Sequence, residues 1–290
     1  MMAIFARIIL AFNCFFCALH SYAITEGNVD DGRNINDVLD IYVDYVVNGY
    51  ATNFIANTNC WLYGVDISCC SMWTDCSTSA FGPTTTAVTV ISPRHVIYAS
   101  HFDYTDWVSG LPAMPLGKIY YFRGKSGTVY SRALTAKMSV GADIGIGLLD
   151  SALPTNDVAC VAILPENYEE YIGDGKYLPV LFIDQQERAY VGSCRGLPTD
   201  SGEFAIGWLN IANRYPYRKF TGAISGDSSS PKFFIANDQL ILLGVTHRAG
   251  GAAGAFVTRH INRIETAMRT LLPSPEYGLK KFNLENYPKL

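Results

Sequence analysis

From Ala87 onward the chain is cut into short runs rich in Val, Ile, Tyr and Phe, each bounded by Gly, Pro, Asp or Ser. The runs are Ala87–Ile91, Ile119–Phe122, Ile144–Leu149, Tyr177–Ile183, Phe204–Leu209, Phe233–Ala236 and Leu240–Thr246. Branched and aromatic side chains suit a pleated, half-buried surface, and runs of this length between turn residues read as strands. Without helices between them, they fit an antiparallel sandwich or barrel better than alternating βαβ units. One helix is expected near the end, where Ile261, Ile264, Met268 and Leu271 share a face and Pro273 stops it. Hydrophobic residues make up 49% of the 290, enough for one large domain or two small packed ones.

Ahead of this region the texture changes. Arg7, the mostly apolar stretch Ile8 to Ala18 and the small residues ending at Ala23 read as a secretory signal over residues 1–23. A polar extension follows over residues 24–58, within which Asp37 to Val47 could form a short helix. Nothing later is long and apolar enough for a membrane span once the signal is cleaved. Export would leave six cysteines: Cys60, Cys69, Cys70, Cys76, Cys160 and Cys194. An even number in an exported chain predicts disulfides, including one within Cys60–Cys76, with Cys69 and Cys70 bonded to different partners. Their spacing lacks a C-x-x-C pair or nearby histidine, so no metal site is read from them. Lys and Arg total 22 against 26 Asp and Glu, and no basic stretch is present to hold nucleic-acid phosphates. Ser77 to Thr86 reads as a loop, and residues 273–290 as a polar tail on the surface.

Three segments carry chemistry. Thr221-Gly-Ala-Ile-Ser-Gly-Asp-Ser-Ser-Ser-Pro231 can form a tight turn that presents Ser228 as a nucleophile. In it, Gly226 lets the chain turn and its N–H can converge with that of Ser228 on a developing oxyanion. Thr89-Val-Ile-Ser-Pro-Arg-His-Val-Ile-Tyr-Ala-Ser-His101 reads as strand, turn and strand, with His101 leaving the sheet between small residues and His95 structural. Asp143 opens an apolar run, Ile-Gly-Ile-Gly-Leu-Leu, and a carboxylate at the edge of a core needs a hydrogen-bonded partner such as an imidazole.

Together these segments resemble the trypsin/chymotrypsin-like serine peptidases. Ala-Ser-His101 is similar to that family's Ala-Ala-His, Ala-Asp143-Ile-Gly-Ile-Gly-Leu-Leu to its Asp-Ile-x-Leu-Leu strand, and Gly226-Asp-Ser-Ser-Ser-Pro231 to its Gly-Asp-Ser-Gly-Gly-Pro. The order His, Asp, Ser is the family's own, and the likeness runs from about Thr86 to Leu272. Ile91-Ser-Pro-Arg-His-Val resembles a bacterial-type branch.

The resemblance implies an all-β fold of two six-stranded antiparallel barrels with a C-terminal helix, over residues 59–272. It implies a secreted or periplasmic endopeptidase acting on polypeptides without cofactor or metal. His101, Asp143 and Ser228 are the implied triad, and Gly226 and Ser228 the oxyanion hole. Gly222 corresponds to the base of the primary pocket. His247 is a candidate for substrate binding from the cleft strand, or a histidine packed near Asp143. Ser229 and Ser230 stand where the family carries two glycines. Crowding there points to the alternative, a catalytically silent protease-like binding domain of the cell envelope. If the family backbone is kept, the Ser229 hydroxyl faces either the cleft or the barrel wall, and in the wall it needs a hydrogen-bond partner.

Overall fold

Strands dominate the described residues, among which one short α-helix lies near the C-terminus. The computed structural model describes residues 39–43, 54–72, 74–79, 82–104, 114–172, 177–184, 187–195, 197, 203–204, 227–248 and 253–290. The expected signal, Gly222 and Gly226 lie outside them. The strands are β1 (Thr74–Ser79), β2 (Gly82–Thr86), β3 (Thr89–Val90), β4 (His95–Ala99), β5 (Ile119–Arg123), β6 (Val129–Gly141) and β7 (Ile144–Leu149). They continue as β8 (Ala162–Ile163), β9 (Tyr177–Ile183), β10 (Ala189–Arg195), β11 (Glu203–Phe204), β12 (Pro231–Ala236), β13 (Gln239–Arg248), β14 (Ala253–Phe256) and β15 (Lys280–Lys281). The helix α1 spans Ile261–Leu271.

Two sheets carry the site. The first has five strands in the order β3-β4-β7-β6-β5, and the second has eight, six of them in the path β10-β9-β12-β13-β14-β11. Among the described residues the expected two six-stranded barrels are not confirmed. β8 and β15 attach to the second sheet in parallel register, a pairing that periodicity does not signal. The segment expected to be a loop over Ser77 to Thr86 takes part in an antiparallel β1–β2 hairpin. The described part of the expected N-terminal helix is instead extended. Asp40 bridges to Arg188 and Tyr42 to Ala56, with the Ile41 N–H donating to the Glu187 carbonyl and the Ala189 N–H to that of Leu39. Backbone pairing with segments distant in sequence outweighs the helical spacing of its apolar residues.

β7 is buried along its whole length, which its Ile-Gly-Ile-Gly-Leu-Leu sequence makes possible. A Cβ added at Gly145 would lie 2.4 Å from Cζ of Tyr98, a ring that is itself fully buried. Alanine at position 145 is therefore expected to lower stability by about 1–3 kcal/mol through overpacking. A thermal melt of Gly145→Ala that matches the parent would refute this packing account.

α1 buries Ile261, Ile264, Ala267 and Met268, close to the predicted face, and packs on β6 and β7 of the first sheet. His95 ties it down. Its Nε2–H donates to the Met268 carbonyl at 3.1 Å, and its Nδ1 accepts the Ser92 hydroxyl at 2.8 Å. The tail runs along β8, with Phe282 and Leu284 buried and the Phe282 N–H bonded to the Ile163 carbonyl. Among the described residues no helix is long and apolar enough to cross a membrane.

Bridged cysteines were expected, but among the described residues no two Sγ atoms lie at disulfide distance. Cys69 and Cys70 approach to 3.9 Å as thiols. The hydrogen bond with Cys70 and complete burial push the Cys69 thiol well up. Cys160 lies near enough to feel it, and burial raises that thiol to about 11.

Candidate active site

His101 sits in a 3-10 turn, Ser100–Asp103, that begins where β4 ends. Two anchors fix this turn. At its far end Asp103 accepts the Tyr98 hydroxyl at 2.9 Å and pairs with Lys137 at 2.8 Å. At its near end the Ser100 N–H donates to the Asp143 carbonyl at 3.0 Å. Asp103 is thus committed to Tyr98 and Lys137, and Asp150 is exposed, so neither competes with Asp143 for the imidazole.

Asp143 occupies the second position of the two-residue loop joining β6 to β7. Ala142 and Asp143 have φ of 51° and 57°, the signature of a type I′ hairpin turn. Aspartate tolerates this left-handed backbone and alanine does so at a cost. The turn aims the carboxylate back at the start of the 3-10 turn. Oδ2 accepts Nδ1–H of His101 at 2.6 Å. Oδ1 accepts the backbone N–H of His101 at 2.6 Å and the Ser100 hydroxyl at 3.1 Å. Burial pushes the Asp143 carboxyl up, but the hydrogen bonds and charge from His101, with the Ser100 hydroxyl, outweigh it and hold the acid below its usual range. The side chain is 25% exposed, at the edge of the core.

A carboxylate that accepts Nδ1–H leaves Nε2 with the lone pair, the tautomer a general base requires. The imidazole is 36% exposed and lies against the Phe102 ring, with centroids 4.7 Å apart.

Ser228 lies at the start of the turn before β12, partly buried. The turn is held by backbone bonds from the Ser230 N–H to the Asp227 carbonyl and from the Ser229 N–H to the Thr246 carbonyl, at 3.0 and 2.8 Å. Asp227 is 3% exposed. Ser229 has a φ of 73°, the left-handed backbone in which glycine is at ease. Its hydroxyl is turned into the interior, accepting the Ala99 N–H at 2.8 Å. That bond joins the two sheets, since Ala99 ends β4 and Ser229 precedes β12. Ser230 is also fully buried, and its hydroxyl has no hydrogen-bond partner among the described residues.

Of the expected residues, His101 and Asp143 are in direct contact, and Ser228 is brought to the same strand end through its neighbour Ser229. His101 and Ser228 share no direct side-chain hydrogen bond among the described residues. His247 is nearly buried, with Nδ1 at 3.9 Å from Oδ2 of Asp143. Among the described residues no group of three His, Cys, Asp or Glu is arranged to hold a metal ion.

Lys232 carries no signal in the sequence, standing in an ordinary strand run. It is fully buried just past the Asp227–Ser230 turn, and a Cβ added at Gly254 would meet its Nζ at 2.5 Å. Burial lowers its ammonium to about 7, against a pull upward from nearby Cys194. No family model matches the chain, and no curated protein is detectably similar to it in sequence.

Proposed function

We propose that the chain is an exported serine endopeptidase of the chymotrypsin-like kind, with a cleft between two barrels of antiparallel strands. The observation that carries this reading is the Asp143–His101 pair. One carboxylate takes the imidazole Nδ1–H and the backbone N–H of the same residue, both at 2.6 Å. A surface histidine needs no such double hold. A general base does, because a fixed tautomer and a stabilised imidazolium are what the carboxylate contributes to catalysis.

In this reading Nε2 of His101 removes the Ser228 proton as Oγ bonds to the scissile carbonyl carbon. The negative oxygen rests on the N–H groups of Gly226 and Ser228, each donor supplying about 2.7–4 kcal/mol of barrier lowering. The imidazolium then protonates the departing amine as the C–N bond breaks. Water repeats the sequence and releases the acid product from Ser228. Gly222 at the pocket base would leave no carboxylate for a Lys or Arg side chain.

A second reading, a silent binding domain, is favoured by the positive φ of Ser229. Fluorophosphonate labelling of the mature protein separates the two. The enzyme reading expects a covalent adduct that maps to Ser228 and disappears in Ser228→Ala. An intact protein that takes up no label is the silent domain.

A further inference from the structure

We infer that Ser229 is a positioning residue, its hydroxyl fixing the nucleophile turn against the strand that delivers the histidine. The inference rests on the peptidase reading for its catalytic consequence but not for its structural one.

It starts from an N–H with nowhere else to go. In β4 the odd-numbered residues turn their backbone groups toward β3, as in the bond from the Ile91 N–H to the His95 carbonyl. The Ser100 N–H points the other way, to the Asp143 carbonyl on the β7 side. Pairing with β3 reaches only as far as Thr89 opposite Ile97. The Ala99 N–H therefore faces the β3 side one step beyond the last pair, on a residue that is 0% exposed. A buried donor without a partner costs about 1–3 kcal/mol. The Ser229 hydroxyl meets that need at 2.8 Å, from the other sheet.

Geometry makes this bond more than a core repair. Ala99 is two residues before His101, and Ser229 directly follows Ser228. A single hydrogen bond thus spans the two halves of the catalytic set, next to each of them. It is also bought with strain, because serine is held at φ 73° where glycine would relax. A turn needing only conformational freedom would be better served by glycine. The cost is accounted for by what the hydroxyl holds: the distance between Oγ of Ser228 and the imidazole, to which proton transfer is steeply sensitive.

The test uses the full mature protein and the variants Ser229→Gly and Ser229→Ala. The glycine variant relieves the backbone and loses the acceptor, whereas alanine keeps the strain and loses the acceptor. Ser230→Ala, which removes a hydroxyl without a described partner, serves as the control. Two readouts are taken. Hydrogen exchange of the peptide carrying Ala99 is expected to speed up about tenfold or more in both Ser229 variants and in neither the parent nor the control. In the glycine variant the melting temperature should stay within a few degrees. The rate of fluorophosphonate labelling, and kcat on a peptide substrate, should fall about 10- to 100-fold in both variants with KM changing less than threefold.

Unchanged exchange at Ala99 overturns the inference whatever the catalytic result. Faster exchange with an equal or higher labelling rate in Ser229→Gly overturns the positioning role, leaving a purely structural bond. A parent protein that takes no label sinks the peptidase reading and with it the catalytic consequence, while the exchange result still decides the clamp.

Discussion

In the proposed peptidase, asparagine at position 143 should slow peptide hydrolysis by about four orders of magnitude while leaving the fold intact. The amide can still occupy the turn, because asparagine tolerates the φ of 57° as readily as aspartate does. It can still accept the His101 N–H and the Ser100 hydroxyl through its carbonyl oxygen, as Oδ1 does now. What then faces Nδ1 is an NH2 donor. Nδ1 must become the acceptor, the proton moves to Nε2, and the ring loses its basic lone pair on the side of Ser228. The loss belongs to kcat, since no substrate contact is removed. Kinetics on a peptide substrate with matched circular dichroism checks it, and a drop of less than tenfold in a folded Asp143→Asn would refute the assigned role.

Acid should loosen the protein through His95, a residue close to His101 in sequence but with no part in that chemistry. Both of its ring nitrogens are used in the neutral form, one as donor to Met268 and one as acceptor from Ser92. Burial, helped by neighbouring Arg94, lowers its pKa to about 4 against the partial upward pull of the Met268 carbonyl. Unfolded, the ring titrates near its ordinary value of 6.5. The unfolded chain therefore binds the extra proton first as pH falls. The stability contributed by neutral His95 is complete above about pH 6.5, drains between 6.5 and 4, and falls no further below that. The shift corresponds to about 3 kcal/mol at most. Urea midpoints at pH 7 and pH 4.5 measure it. His95→Gln, which keeps an N–H for Met268 but cannot titrate, should be weaker at pH 7 and lose less on acidification. Equal losses in the two proteins would remove His95 as the cause.

Much of this arrangement is legible in the residues themselves. Ile144–Leu149 and Tyr177–Ile183 are strands with the expected bounds, and the apolar face of Ile261–Leu271 is buried almost as its spacing requires. The meeting of His101 with Asp143 follows from motifs whose order resembles a known pattern. β6 (Val129–Gly141) escaped although Leu134, Ala136, Met138 and Val140 alternate with Thr135, Lys137 and Ser139, the period of a half-buried strand. What a local window does not carry is the change of partner along it, Val129–Ala133 pairing with β5 and Leu134–Gly141 with β7. The Ala142-Asp143 turn escaped because Gly-Ala-Asp lacks the Asn-Gly signature, whereas Asn237-Asp238 in the β12–β13 hairpin is closer to it. Lys232 lies deepest beyond reach, since only a folded wall explains a cation inside a strand. Ser229 was readable as a problem, a hydroxyl in a glycine position, but its solution needed the unpaired end of a strand from the other sheet.

The imidazole that bolts α1 to the Ser92–His95 turn joins residues 173 positions apart. On a ribosome, the first sheet would be fully translated long before the carbonyl it needs exists. β4, β6 and β7 can pair early, yet their outer face and the histidine turn stay unfinished until Met268 emerges. Contacts of such separation slow folding, because a long loop must close before anything is gained. A nascent chain would then carry His101 and Asp143 in an unsealed sheet, and the machinery would become competent only as the last helix docks.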